Sequence, residues 1–483
     1  MIVKFSEVAF GKNDIRGKVG EDLCPELFEL IGKAFSTYVS YKETSIENLW
    51  VSVAQDARLH SPELTEALIK GLRSCGINVV DLGLCPTPLG YFSEYANLNL
   101  IGALIVTASH NPAEYNGIKI TYKKVGLNEE EIIKLKEITF AGNFVKSTKE
   151  GEYKKYDIVS EYINTVGKTF LGKGKGVKVV VDSGNATGGV VAPDFYRKMG
   201  CEVIDIFTEP DGRFPNHHPD PSKEKNVKAL KEKIMETGAD FGIAFDGDSD
   251  RIGVVDNNAY ALPGDQLMLI YALHILENNK VNSSPKPVFV SEVKCSQVLY
   301  DTIDENGGRS VMWKTGHAYI KSKMKEENAI LAGEMSGHIF FKDRYYGYDD
   351  AVYAGCRIIE IVAAKKAKNP EFKLSQIIDS LPKKFTSPEL RIPCSNELKY
   401  RVVEELKADL SKKPDIFVNK IENIITIDGI RLVFNDGFAL IRASNTEPTF
   451  TIRFEAGSQE NINNYQEKFL ALLDEKMKII ATV

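Results

Sequence analysis

The chain has 483 residues, 43% of them hydrophobic and 10% aromatic, which is apolar material for several cores and too much for a mainly disordered state. Its 61 Lys and Arg against 67 Asp and Glu leave a net charge of −6, so no global basic field draws nucleic-acid phosphates, and no nucleic-acid partner is expected. No apolar run reaches bilayer length, Lys4, Glu7 and Lys12 stand where a secretion signal would be apolar, and the seven scattered cysteines contain no C-x-x-C pair, so the expectation is a cytoplasmic protein with reduced thiols and no membrane partner.

In chain order, one pattern recurs three times: a β-branched strand, a polar loop, an amphipathic helix and a second strand. The first copy has strands over 49–53 and 79–82 around a helix over 62–74. The second joins strands over 177–181 and 202–206 through a helix that ends near Gly200, and the third joins 287–290 to 310–313 past the turn Gly307-Gly308. Crossovers of this length imply parallel pairing. The last stretch differs: strands over 424–427, 430–434, 438–441 and 450–454 are separated by hairpin signals, and a helix over 459–477 closes it. Three similar α/β domains with mixed sheets and a C-terminal α+β domain follow, with expected bounds 1–156, 157–262, 263–370 and 371–483.

Each domain carries one loop with chemical content. Ala108-Ser109-His110-Asn111-Pro112 follows a strand over 102–107, which presents Ser109 at a strand C-terminus; taken alone, the loop also reads as a turn that spends Ser, Asn and Pro on its own hydrogen bonds. Asp246-Gly247-Asp248-Ser249-Asp250-Arg251 places three carboxylates at alternate positions between two strands. They would repel one another unless a hard cation sits among them. An EF-hand is excluded, because Arg251 stands where such a loop needs Gly and Asn257 where it needs Glu. Three protein oxygens suit octahedral Mg²⁺ with positions left for water or phosphate oxygen. Were Ser109 to carry a phosphate beside these acids, the residual negative charge would call for cations, and Arg16, Lys119 and Arg251 are at hand.

Gly333-Glu334-Met335-Ser336-Gly337-His338 offers a carboxylate and a hydroxyl for sugar hydroxyls, although an ordinary strand-to-turn segment reads the same way. Arg442-Ala443-Ser444-Asn445-Thr446-Glu447 combines an Arg fork, hydroxyls and an amide, as a phosphate dianion requires; a capping turn is the bland alternative. Gly172-Lys173-Gly174-Lys175-Gly176 lacks P-loop spacing and reads as a linker, and His217-His218 reads as a Pro-bounded turn against a neighbouring domain.

Taken together, residues 107–112, 246–251, 333–338 and 442–448 resemble the four signature loops of the α-D-phosphohexomutase family, in order and one per domain, nearest its bacterial phosphomannomutase/phosphoglucomutase branch. Residues 216–221 and 314–317 also resemble that branch. The resemblance implies domains arranged around a central cleft, and reversible phosphoryl transfer between C1 and C6 of mannose or glucose phosphate through phospho-Ser109 and a glucose or mannose 1,6-bisphosphate. It implies Mg²⁺ on Ser109, Asp246, Asp248 and Asp250, and catalytic Arg16, His110, Lys119 and Arg251, with Lys119 a general acid/base. Lys294, His317, Glu334, Ser336, Arg442, Ser444, Asn445 and Thr446 would bind the hexose phosphate, and the chain would be a monomer or weak homodimer. Asn13 departs from the aromatic residue usual in relatives. A phosphoglucosamine mutase is the rival in the same superfamily, but such relatives carry Gln at Met335 and Gly at Ser249; a Mg²⁺-dependent phosphatase or a non-catalytic paralogue are the others.

Overall fold

The computed structural model describes every residue except 1–6, 13, 47, 279–284, 411–414, 445–447 and 482–483. It divides into two compact units, Met1–Leu267 with Ser336–Ile378, and Met268–Met335 with Asp379–Val483.

In the first unit the recurring pattern folds as its spacing dictates. Trp50–Gln55 and Asn78–Leu84 pair in parallel around the helix Ser61–Ser74, whose Leu64, Leu68 and Leu72 line one buried stripe. Leu100–Val106 adds to the other side of Trp50–Gln55, also in parallel. The sheet then turns antiparallel: Tyr115–Tyr122 pairs with Leu100–Val106 and with Ile15–Lys18. This strand begins earlier than its apolar core over 118–120 indicates, because Asn116 and Gly117 look like turn residues and are strand residues here. A Cβ on Gly117 would lie 2.2 Å from the Ile15 carbonyl oxygen, so glycine answers the close approach of the neighbouring strand.

The second sheet of this unit runs Ile252–Asp256, Phe241–Phe245, Lys178–Asp182, Glu202–Ile206. Its first pair is an antiparallel hairpin and the others are parallel. Both sheets thus send strand C-termini, at Val106 and Phe245, into the two loops that carry chemistry.

The second unit holds the parallel strands Arg309–Trp313, Val288–Glu292 and Leu331–Gly333. It also holds an antiparallel sheet in the order Phe385–Thr386, Thr449–Ala456, Gly437–Ala443, Ile430–Phe434, Asn423–Ile425. Helix Gln459–Ala481 lays Ile462, Tyr465, Phe469 and Leu473, at three- and four-residue spacing, against Phe450, Ile452 and Phe454 of this sheet.

A buried carboxylate caps one long helix of the first unit. Asp350 accepts the Tyr353 N–H at the start of Ala351–Lys368, while Lys365, Lys366 and Lys368 crowd its last turn, a charge order that matches the helix dipole. Burial pushes the Asp350 carboxyl up to about 6, although hydrogen bonds from Tyr345 and Tyr162 oppose that shift. A carboxyl raised in the folded state binds a proton that the unfolded chain has released, so its ionisation costs stability as pH rises toward 6. Wild type should therefore gain on Asp350→Asn by about 2 kcal/mol in all, roughly 1 kcal/mol per pH unit, as pH falls from 6 to 4. Paired urea unfolding curves across that range measure it, and a pH-independent difference refutes it.

Candidate active site

Ser109 follows Leu100–Val106 by three residues and is 3% exposed. Its backbone takes φ 51°, the left-handed region that a side chain disfavours. The Ser109 hydroxyl donates to Asp246 Oδ2 at 2.9 Å and lies 3.2 Å from His110 Nδ1.

Asp246 comes from the hairpin turn between Phe241–Phe245 and Ile252–Asp256, where Phe245 pairs with Ile252. Within the turn the Arg251 N–H donates to Asp246 Oδ1 at 3.0 Å, the Ser249 N–H donates to the Asp246 carbonyl at 3.1 Å, and Ser249 takes φ 58°. Asp246, Asp248 and Asp250 are at most 1% exposed, and one oxygen from each lies within 4.8 Å of the others. Three carboxylates so close and so dry require compensation. Lys119, on Tyr115–Tyr122, supplies part of it: Nζ donates to Asp248 Oδ2 at 2.6 Å and Asp250 Oδ2 at 2.5 Å.

The electrostatics divide the three acids. Burial, then Asp250 and Asp248, push the Asp246 carboxyl well above the usual range. Burial also opposes ionisation of Asp250, but Lys119 and then His338 hold it below that range. Lys119 is itself raised: burial lowers it, and Asp248 and Asp250 more than restore its charge. Asp248 Oδ1 and Asp250 Oδ1 are buried without a hydrogen-bond donor. A set of hard anionic oxygens, two of them unspent, fits a hard divalent cation.

Further groups lie around the serine loop and the acidic turn. Arg251 Nε donates to His338 Nε2 at 3.0 Å, and His338 Nδ1 lies 3.1 Å from Asp349 Oδ2. Arg251, burial and Arg16, in that order, push His110 down, so it stays neutral. Arg16 donates to Asn111 Oδ1 at 3.0 Å, which ties it to the serine loop. Ser336 belongs to this unit, beside Gly337, where a Cβ would sit 2.4 Å from the Ile252 carbonyl oxygen at the end of the acidic hairpin.

Three partners here are not legible as site residues from local sequence. Thr87 donates its N–H to the Asp248 carbonyl at 2.9 Å and its hydroxyl to Asp248 Oδ2 at 2.7 Å. His218 Nε2 lies 2.5 Å from the His110 carbonyl, so the turn that reads as a plain interdomain contact props the serine loop. His217 beside it pairs with Asp182 at 3.0 Å; burial lowers its pKa and Asp182 more than reverses that.

The second unit gathers the other predicted residues. Glu334 Oε1 accepts the Gly316 N–H at 2.7 Å, which brings it beside His317. The Thr315 N–H donates to Asp428 Oδ2 at 3.0 Å, and the same oxygen accepts Arg442 Nε at 3.0 Å. Lys294 Nζ lies 3.6 Å from Glu292 and 3.4 Å from Glu389; burial works against its charge and these acids keep it. The Lys294 loop is anchored by Arg431, which stacks 3.7 Å from the Phe438 ring centroid and donates to the Cys295 carbonyl at 2.8 Å, and by Arg453, which donates to the Lys294 carbonyl. Ser444 is 7% exposed, and its carbonyl accepts Lys399 Nζ at 2.5 Å. Asn445 and Thr446 lie outside the described residues.

Comparison with known proteins matches every domain. The family models described as phosphoglucomutase/phosphomannomutase alpha/beta/alpha domains I, II and III match residues 7–146, 160–259 and 263–385, and the C-terminal domain model matches 389–472. A phosphomannomutase/phosphoglucomutase of Pseudomonas syringae pv. tomato is 39% identical over 468 residues, 97% of this chain and 95% of that protein. A phosphoglucomutase of Neisseria meningitidis serogroup A is 39% identical over 473 residues, 98% of both chains. A crystal structure of a phosphoglucomutase/phosphomannomutase family protein from Burkholderia thailandensis has a TM-score of 0.88 at 35% identity and 98% coverage of both chains.

Proposed function

Because the chain belongs to the phosphoglucomutase/phosphomannomutase family, we propose that it interconverts the 1- and 6-phosphates of glucose and mannose through phospho-Ser109 and a 1,6-bisphosphate. One observation carries the reading: a buried serine hydroxyl donates, at 2.9 Å, into a carboxylate cluster with unspent oxygens.

In this reading Asp246, Asp248, Asp250 and Ser109, through its phosphate, would hold Mg²⁺, which when bound would neutralise charge on the transferring phosphoryl oxygens. The serine P–O bond breaks as a bond forms to the free sugar hydroxyl at C1 or C6; that hydroxyl gives its proton to water, and the sugar oxygen freed in the return step takes one back from water. Lys119, kept as an ammonium by Asp248 and Asp250, gives a proton to the departing Ser109 oxygen and recovers it when the second phosphoryl returns. Arg251, oriented by His338, and Arg16 face the phosphoryl group, and neutral His110 lies against the serine hydroxyl. Glu334, Ser336, His317 and Lys294 take the sugar, while Arg442, Ser444, Asn445 and Thr446 take the phosphate that is not reacting. A cytoplasmic location is part of the proposal; none of the seven cysteines, all among the described residues, forms a disulfide.

The test offers glucose 1-phosphate, mannose 1-phosphate and N-acetylglucosamine 1-phosphate in parallel, with and without 1,6-bisphosphate, and with a chelator. Turnover of the first two is expected, stimulated by bisphosphate and abolished by chelation. Preference for the acetylated sugar, or stoichiometric release of inorganic phosphate, would overturn the reading.

A further inference from the structure

We propose that Arg58 is a positioning residue for Ser109, holding the serine loop in one geometry through both phosphoryl transfers; this rests on the reaction proposed above. Arg58 lies three residues beyond Trp50–Gln55, and its side chain is fully buried. A guanidinium carries five N–H donors in one rigid plane. Each of the five has a protein acceptor. Nε donates to Asp56 Oδ2 at 3.0 Å. One terminal nitrogen donates to the carbonyls of Pro112 and, at 3.0 Å, Tyr115. The other donates to the carbonyls of Ser109 at 2.8 Å and Asn111 at 2.6 Å.

Four carbonyls of the 109–115 loop therefore converge on one cation. Without it the buried Ser109 carbonyl would lose its donor and those of Asn111, Pro112 and Tyr115 would each lose a bond, so the loop would be free to shift. Asp56 ties down the other side of the serine. Its Oδ2 accepts the Thr107 hydroxyl at 2.9 Å, and the Thr107 oxygen accepts the Ser109 N–H at 2.9 Å. Its Oδ1 accepts the Arg58 N–H at 3.0 Å and the Ser61 hydroxyl at 2.6 Å. Amide and carbonyl of Ser109 are thus both anchored to the Asp56–Arg58 pair, which sustains its left-handed backbone.

Arg58 acts behind the reacting atoms. All its donors are spent on Asp56 and the loop, so it has none for a phosphate, and its effect reaches the chemistry only through where Ser109 points. A lysine keeps the charge but gathers its donors on one atom, so it cannot serve carbonyls spread over residues 109–115.

The test compares wild type, Arg58→Lys and Arg58→Gln in steady-state turnover of glucose 1-phosphate, in single-turnover phosphorylation of Ser109 by glucose 1,6-bisphosphate, in melting, and in amide exchange of the 107–116 loop. For Arg58→Lys, kcat and the single-turnover rate should fall about tenfold or more, KM should stay within about threefold, and the melting transition should persist. A folded Arg58→Lys variant with wild-type kcat, or with its loss confined to KM, overturns the proposal. So does failure of both variants to fold, which would leave Arg58 a part of the fold alone. If wild type turns over no hexose phosphate, the reaction proposed above fails; the clamp is then judged on exchange, with Ser109 and Asn111 amides expected to exchange about tenfold faster in Arg58→Lys and an unchanged rate overturning it.

Discussion

Ser109→Ala is expected to lower kcat about 10⁴-fold or more and to abolish phosphate incorporation at residue 109, while the melting temperature moves little. The hydroxyl contributes only the bond to Asp246 and the contact with His110, and the loop's remaining anchors run through backbone atoms that alanine retains. Alanine meets φ 51° with much the same penalty as serine, so backbone strain does not confuse the result. The acidic turn keeps Lys119, hence the variant still offers a folded acidic cluster. Retention of more than about a hundredth of wild-type kcat would mean that another group carries the phosphoryl and that the covalent route is wrong.

Gly247→Ala should damage turnover and stability together. A Cβ there would stand 2.3 Å from the Ser109 carbonyl oxygen and 3.2 Å from its carbon, both backbone atoms without a rotamer to yield. Nor can that carbonyl retreat, because Arg58 holds it at 2.8 Å from the other side. The strain must move the serine loop or the metal turn, and a displacement near 1 Å costs about 10² in rate. A loss of about 10²-fold in kcat is expected, with roughly 1–3 kcal/mol of stability. Turnover and urea unfolding, measured at one metal concentration, check both; an unaffected kcat would show that the two loops tolerate separation.

Much of this was legible because the chemistry is local. Asp246, Asp248 and Asp250 stand out by spacing, whereas Ser109, whose loop alone also reads as a turn, stands out only beside the other three loops and the family they resemble. The repeated crossover predicts the sheets for the same reason: apolar periodicity is written residue by residue. Contacts made by topology were not legible. Thr87 is 161 residues from Asp248 and sits in a Cys-Pro-Thr-Pro stretch that reads as a helix start, which it also is. Arg58 follows a strand and reads as a loop charge until the 109–115 segment turns four carbonyls toward it. Lys119 is intermediate, since its strand could be read but its two carboxylate partners come from another sheet. His218 shows the cost of a bland reading: a contact with a neighbouring domain was expected, but nothing in its surroundings says that the atom it meets is the carbonyl next to the serine.

If Ser109 carries the phosphoryl as proposed, its anchoring on both faces of its peptide makes the sugar the reactant that travels. A seryl group bolted to the sheet beneath it serves as a fixed station and cannot swing to meet first one end of a sugar and then the other. Between the two half-reactions it is the doubly phosphorylated sugar that must make a half-turn, so discrimination has to be indifferent to heads and tails, and the slowest event can be a tumbling of the cargo.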